Sequence, residues 1–322
     1  MEKECHYIGI DISKETFDVS FYDGVTHRHH QYANTATGFA SFGADLSAAS
    51  RCVMEATGVY HLHLAMYLYE RGIWVSVVNP LVIRRFMQMQ LRRAKTDKAD
   101  AQQIALYGST HHPAPWQPEP EAVTQMGQLY SLIEGITTYT TSLRNRREAF
   151  SRQPHGDRQL LKKLDREIVR QQKMNAEYLQ QLIDLAQSTY GKAFEAVVSI
   201  PGIGKKTASL LVMVTNGFTA FDSSKQLIAY LGLSPRHYQS GSSVHGQAHI
   251  CKMGMQRVRS ALYICTWSAV RHNHACRELY ARLLSRGKPA KLALVAVANK
   301  LVKQAFAIAT NHTSYDPNFQ RT

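Results

Sequence analysis

Acidic residues set where apolar strands should run unbroken constrain this chain more than any other feature. Asp11 interrupts the run Tyr7, Ile8, Gly9, Ile10 and Ile12, and Glu55 closes a second run of Cys52, Val53 and Met54. An aspartate among isoleucines is a poor strand former and costs free energy if it is buried unpaired. Asp97 and Asp100 stand three apart in a helix-like segment, 96–107, so they share one face and repel. A hard cation such as Mg²⁺ relieves both problems, because it takes several carboxylate oxygens and keeps positions open for phosphate. Taken singly, each acid has a plainer explanation. Asp97 could be only a first-turn acid behind an N-capping Thr96, Glu55 a solvated strand end, and Asp11 a turn residue before Ser13. All four in this order point instead to one metal-dependent site.

The charge of the chain names the kind of substrate. Lys and Arg number 38 against 24 Asp and Glu, a net charge of +14, and such an excess attracts polyanions, most often nucleic acid. A basic protein of the membrane surface is the other class this charge allows. No strongly amphipathic terminal helix supports it, and no uninterrupted apolar run reaches the length of a membrane span. The N-terminus lacks the layout of a signal peptide. Five scattered cysteines without a C-x-x-C spacing suit a reducing cytoplasm and speak against zinc or a disulfide framework. The expected location is the cytoplasm, on the nucleoid when acting.

At 322 residues the chain is long enough for two or three domains. Its first part alternates strands and helices. Residues 6–12, 16–21 and 27–32 read as three consecutive strands, 36–46 as a helix, 52–56 as a strand, 60–71 as a helix and 74–78 as a fifth strand. Pro80 then opens a basic helix carrying Arg84, Arg85, Arg92 and Arg93. Three meander strands followed by β-α-β units predict an α/β, ribonuclease-H-like topology with Asp11 and Glu55 on neighbouring central strands. The boundaries expected are 1–112 for this catalytic domain, 113–120 for a linker built on Pro113, Pro115, Pro118 and Pro120, 121–190 for a helical hairpin and 191–322 for a C-terminal domain.

In the hairpin, Leu161, Leu164, Ile168, Tyr178, Leu182 and Leu185 follow a three-four spacing broken at Gln171 and Asn175. That stripe is either a coiled-coil seam between subunits, with polar residues fixing register, or a face packed within one chain. The C-terminal domain reads as mostly α-helical. Ile200, Pro201, Gly202, Ile203, Gly204, Lys205 and Lys206 fit a helix-hairpin-helix, in which glycines permit a tight turn and helix-start amides meet a phosphate oxygen. Such a contact positions a strand without reading its bases. Further on, Ser240 and Gly241, then Ser242 and Ser243, precede Lys252, Arg257 and Arg259. On its own a Ser-Gly pair favours ordinary turn material over an exposed nucleophile.

With these pieces in place the chain closely resembles the DEDD transposases of insertion-sequence family one-ten. This group includes relatives of the Piv DNA invertase and the recombinases guided by a bridge RNA. The resemblance spans nearly the whole chain. It rests on Tyr7, Ile8, Gly9, Ile10, Asp11; on Glu55, Ala56, Thr57, Gly58, Val59, Tyr60; and on Lys95, Thr96, Asp97, Lys98, Ala99, Asp100, Ala101. C-terminally it rests on Ile200 to Gly204, on Tyr230, Leu231, Gly232, Leu233, Ser234, Pro235, Arg236, and on Ser240 with Gly241.

The resemblance implies a RuvC-like domain whose Asp11, Glu55, Asp97 and Asp100 hold two Mg²⁺ ions. It also implies a C-terminal domain that supplies a serine nucleophile at Ser240, with Ser242 and Ser243 as alternatives. The implied partners are donor and target double-stranded DNA, a structured guide RNA, and further copies of the chain as a homodimer assembling to a tetramer, with acids and serine coming from different protomers. Two other activities are compatible with parts of the sequence. A RuvC-like junction endonuclease using metal-bound water needs the four acids but not Ser240. A catalytically inactive architectural protein needs neither.

Overall fold

The computed structural model describes residues 6–90, 96–236, 239–240, 244–245, 249–251 and 253–318. The chain divides into two compact units, Met1–Pro118 and Glu119–Thr322.

The first unit is built on a five-stranded mixed sheet: β1 (His6–Ile12), β2 (Thr16–Tyr22), β3 (His27–Ala33), β4 (Ser50–Glu55) and β5 (Trp74–Val78), in the order β3-β2-β1-β4-β5. β1, β2 and β3 form an antiparallel meander, and β4 and β5 run parallel to β1 and to each other. Strand alternation then sorts the side chains. Ile8, Ile10, Ile12, Phe17, Val19, Cys52 and Met54 face a core shared with Phe39 and Phe42 of α1 (Ala36–Ala44) and Leu64 and Leu68 of α2 (Leu62–Glu70). Tyr7 and Val53 face the opposite core, shared with Ile83 of α3 (Pro80–Met89) and Ile104 of α4 (Asp97–His111). Asp11 and Glu55 share the parity of Tyr7 and Val53, so they belong to the α4 face.

Gly9 fixes how close α4 comes. A Cβ placed there would stand 2.1 Å from the Ala101 carbonyl oxygen and 2.2 Å from the Ala105 amide, so the helix backbone lies directly on β1. On the helix side Gly108 meets Tyr7 and Val53 in the same way. Gly9 therefore sits against the second and third turns of α4 and Tyr7 against its end. The helix runs antiparallel to the strand, and its first turn lies at the Asp11 end of β1.

The proline-rich segment packs along the sheet margin, where the Trp116 amide donates to the Val75 carbonyl at 2.7 Å. The division into units falls within this segment, at Pro118.

The second unit is helical. α5 (Glu121–Ser151) and α6 (Arg158–Val198) form an antiparallel hairpin, and α6 starts where the Asp157 carboxylate accepts from the amides of Gln159 and Leu160. α7 (Lys205–Val214) and α8 (Ser224–Tyr230) follow. Two short ladders come next, β6 (Pro235–Arg236) with β9 (His249–Ile250) and β7 (Gln239–Ser240) with β8 (Val244–His245). The chain then ends in α9 (Gln256–His272), α10 (His274–Ser285) and α11 (Ala290–Thr310). One core joins Met126, Tyr130 and Leu182 of the hairpin to Leu211, Leu262, Val297 and Leu301, so residues 121–190 and 191–322 share a single compact unit. By length and composition alone α11 could cross a bilayer, but Leu294, Val297, Leu301 and Val302 are fully buried within the protein.

The hydrophobic stripe on α6 finds its partner inside the chain. Ile168 and Leu182 are buried, the hairpin helices pack along their length, and Asn175, at the break in the stripe, donates to the Thr137 hydroxyl of α5 at 3.1 Å. Gln171, also at the break, is buried and donates to Glu167. Packing within one chain thus accounts for Ile168 and Leu182, while Leu161, Leu164, Tyr178 and Leu185 are half-buried and Asn175 Oδ1 is buried without a hydrogen-bond partner.

Candidate active site

Parallel pairing carries Gly9 opposite Val53 and Ile10 opposite Met54. One residue further, Asp11 and Glu55 project from adjacent strand ends onto the α4 face. The first turn of α4, which the Gly9 contact brings to this end, carries Asp97 and Asp100. Thr96 caps it, its hydroxyl accepting from the Ala99 amide at 3.2 Å. Asp97 is exposed, while Asp11, Glu55 and Asp100 are half-buried.

Asp11 registers all the others. Burial first, and then the negative charges of Asp100, Asp97, Glu55 and Asp18, raise its carboxyl from 3.8 to about 6. Four residues scattered over 90 positions of sequence therefore act on one another electrostatically. Among the described residues no three His, Cys, Asp or Glu side chains stand close enough to hold a metal ion as placed. The donor set nevertheless fits a hard divalent cation in kind, being all carboxylate oxygen, and the repulsion stored at Asp11 is what such a cation would relieve. When bound, it would neutralise the acids and stabilise charge on phosphate oxygens.

A fifth acid adjoins the set that the sequence pattern singled out. Asp18 lies directly opposite Asp11 in the β1–β2 register, is 6% exposed, and accepts from His29 Nε2 at 2.7 Å and Gln31 Nε2 at 3.0 Å. Asp18 and Gln31 continue the Asp11 row across β2 and β3, and His29, opposite Ser20, reaches Asp18 from the neighbouring row. The signal was present in the alternation Thr16, Asp18, Ser20, which puts polar residues on the α4 face of a strand whose other face is Phe17, Val19 and Phe21.

The electrostatic strain has a measurable consequence. Because the folded protein binds the Asp11 proton more tightly than the unfolded chain, the site's stability falls as pH rises from about 4 through about 6. The shift of about two units corresponds to about 3 kcal/mol, and solvent screening of a side chain that is only partly buried reduces it to about 1–2 kcal/mol. Asp11→Asn should therefore stabilise the metal-free protein by about 1–2 kcal/mol near neutral pH, with the gain vanishing near pH ~4, where both proteins are uncharged at this position. Urea unfolding in chelator at the two pH values measures it; an equal effect at both would remove electrostatics as the cause.

The basic residues singled out in the sequence fall into three groups. Arg84 and Arg85 are exposed on α3, and Arg85 donates to Gln88; Arg92, Arg93 and Lys252 lie outside the described residues. Gly202 adopts φ +108° and packs on the backbone of Ala269 in α9, while Gly204 is the N-cap of α7 with open space around it. Lys205 is exposed, but Lys206 is held by Glu134 at 2.7 Å over the ring of Tyr130. Arg257 is exposed, and Arg259 donates to the Leu231 carbonyl at 2.9 Å. Lys206 and Arg259 therefore brace the second unit internally. Ser240 ends β7; its side chain, with Ser242 and Ser243, lies outside the described residues.

Two family models match the chain. Residues 8–153, which contain all four acids, match the DEDD transposase model of insertion sequence IS110, and residues 195–281 match the transposase model of the IS116/IS110/IS902 family. The pilin gene-inverting protein of Moraxella lacunata is 31% identical over 96% of this chain and 97% of its own. The chain belongs to the IS110 family of transposases. The transposase of insertion sequence element IS1111A from Coxiella burnetii is 23% identical over 97% of this chain and 92% of its own. The protein is a DNA transposase/recombinase, with DNA as its substrate. Membership of a DEDD family suggests use of a divalent metal, consistent with the donor set around Asp11.

Proposed function

We propose that this transposase carries out conservative strand exchange between donor and target duplexes, guided by a structured RNA, with Asp11, Glu55, Asp97 and Asp100 holding two Mg²⁺ ions in a RuvC-like domain and Ser240 as nucleophile. The observation that carries the reading is the coupling of all four acids at Asp11 on the open end of a mixed sheet. Ser240 Oγ attacks a backbone phosphorus, forming the Oγ–P bond as the 3′-oxygen leaves and takes up a proton. The 3′-OH of the other duplex then attacks the phosphoserine, re-forming a phosphodiester and releasing the serine. Phosphoester bonds are equal in number before and after, so neither ATP nor DNA synthesis is required. The serine's position in a polar loop between Pro235 and a basic stretch supports its role, since a weak hydroxyl nucleophile must be activated by its surroundings.

Guide RNA and DNA are bound through their backbones, by Arg84, Arg85, Arg92 and Arg93 of the first unit, and by Lys205, Lys252, Arg257 and the backbone amides at Gly202 and Gly204 of the second. Lys206 and Arg259 contribute less, because they already serve internal partners. The active form is a homo-oligomer in which acids and serine meet between protomers. The test is recombination of two labelled plasmids with and without the RNA transcribed beside the gene. Products should appear only with RNA, and RNA affinity should fall steeply as salt rises, because each neutralised phosphate releases counterions. Recombination without RNA would remove the guide from this reading.

A further inference from the structure

α10 and α11 enclose a groove of about 430 Å³ lined by Arg282, Lys300, Lys303, Asn299 and Glu278. Its charge is lopsided. None of the three cations makes an ion pair among the described residues, and Glu278 has only His274, 3.7 Å away on its own helix. The walls are fixed from beneath. Asn273, fully buried, caps α10 by accepting from the Cys276 amide at 3.2 Å and donates across to Gln304 of α11 at 3.0 Å, while Tyr315 donates to the same asparagine oxygen at 3.1 Å. The two helices cannot slide without breaking this buried network.

The side-chain amide of Asn299, on the groove, donates to the Leu233 carbonyl, yet its Oδ1 is buried without a hydrogen-bond partner. That oxygen is out of contact with solvent, so what the groove offers a ligand is its three cations. A strand of successive phosphodiesters presents repeated negative charge along such a row, as a single free phosphate does not.

We infer that the α10–α11 groove is a binding track for the phosphodiester backbone of a nucleic-acid strand, with Arg282, Lys300 and Lys303 on the phosphates. The inference rests on the proposed function only in taking nucleic acid as the partner, and it needs no cleavage chemistry. The experiment measures binding of labelled single-stranded RNA, single-stranded DNA of the same sequence and duplex DNA to the full chain in chelator, across a salt series. Arg282→Ala/Lys300→Ala/Lys303→Ala is compared with Arg158→Ala/Lys162→Ala/Lys163→Ala, which removes the same charge from α6. The groove variant should bind about 10–100-fold more weakly at low salt, with the slope of log affinity against log salt reduced by about two to three; the α6 variant should keep the wild-type slope. Arg282→Glu/Lys303→Glu alters only exposed side chains and should show the same loss should the triple variant fold poorly. The three probes separate the sources: a loss confined to RNA assigns the track to an RNA strand, and equal losses on all three assign it to phosphodiesters of either kind. A groove variant that binds all three probes as the α6 variant does overturns the inference, whatever the outcome of any cleavage assay.

Discussion

Ser240→Ala is expected to abolish covalent capture of DNA while leaving nucleic-acid binding intact. In wild type, a denaturing gel of a reaction on labelled DNA should show a protein–DNA adduct, because in the proposed reaction the phosphoserine outlives the first strand cut until a 3′-OH arrives. Removing the hydroxyl removes the attacking atom. The substitution deletes a single oxygen atom, so adduct and recombinant should both fall below detection with no change in thermal stability. Ser242→Ala and Ser243→Ala should keep both products. An adduct that persists in Ser240→Ala and disappears in one of these controls reassigns the nucleophile. Cleavage that survives in Ser240→Ala with no adduct in any protein identifies water as the attacking group and makes the chain a nuclease of the junction-cutting kind.

Alanine at Asp11, Glu55, Asp97 or Asp100 should lower strand cleavage by about 10³-fold or more, since even one lost electrostatic contact to a developing charge costs on the order of 10²–10³. Binding of DNA and RNA should change little. Stability should not suffer at Asp11, whose ionised carboxylate is already disfavoured by burial and four neighbouring acids. The diagnostic is the dissociation of the two readouts: cleavage by single-turnover gel, and binding in chelator. Asp97 is the sharpest case, because it is exposed and its first-turn position behind Thr96 already gives it a structural role. If Asp97→Ala cleaves normally while Asp100→Ala does not, Asp97 belongs to the helix cap and not to the site.

Asp18→Asn lies between these outcomes and needs no separate scheme. It removes the charge directly opposite Asp11 and keeps an acceptor for only one of His29 and Gln31, which now donate to separate carboxylate oxygens.

The elements of the first unit were legible because strand periodicity is a local property. Alternation from His6 to Ile12 and from Ser50 to Glu55 puts Asp11 with Tyr7 and Glu55 with Val53 whatever the rest of the chain does. The prolines from 113 to 120 likewise forbid a continuing helix by their own covalent geometry. The net charge of +14 requires no fold to imply a polyanionic partner. The pattern of acids, read with the motifs around them, was enough to identify the family.

What the sequence could not carry is which face meets which. The stripe on α6 has the same spacing whether its partner is a second subunit or α5, and only the docked hairpin, with Asn175 against Thr137, decides for α5. Lys206 and Arg259 look like free cations in the sequence until Glu134 and the Leu231 carbonyl stand beside them. Gly9 is one glycine among 19 until α4 lies on it, and that contact is what brings Asp97 and Asp100 to the Asp11 end of the strand. Periodicity, capping and charge act over a few residues and are fixed by the chain itself. Close approach, internal ion pairing and the raised carboxyl of Asp11 depend on groups far apart in sequence, so only tertiary packing decides them.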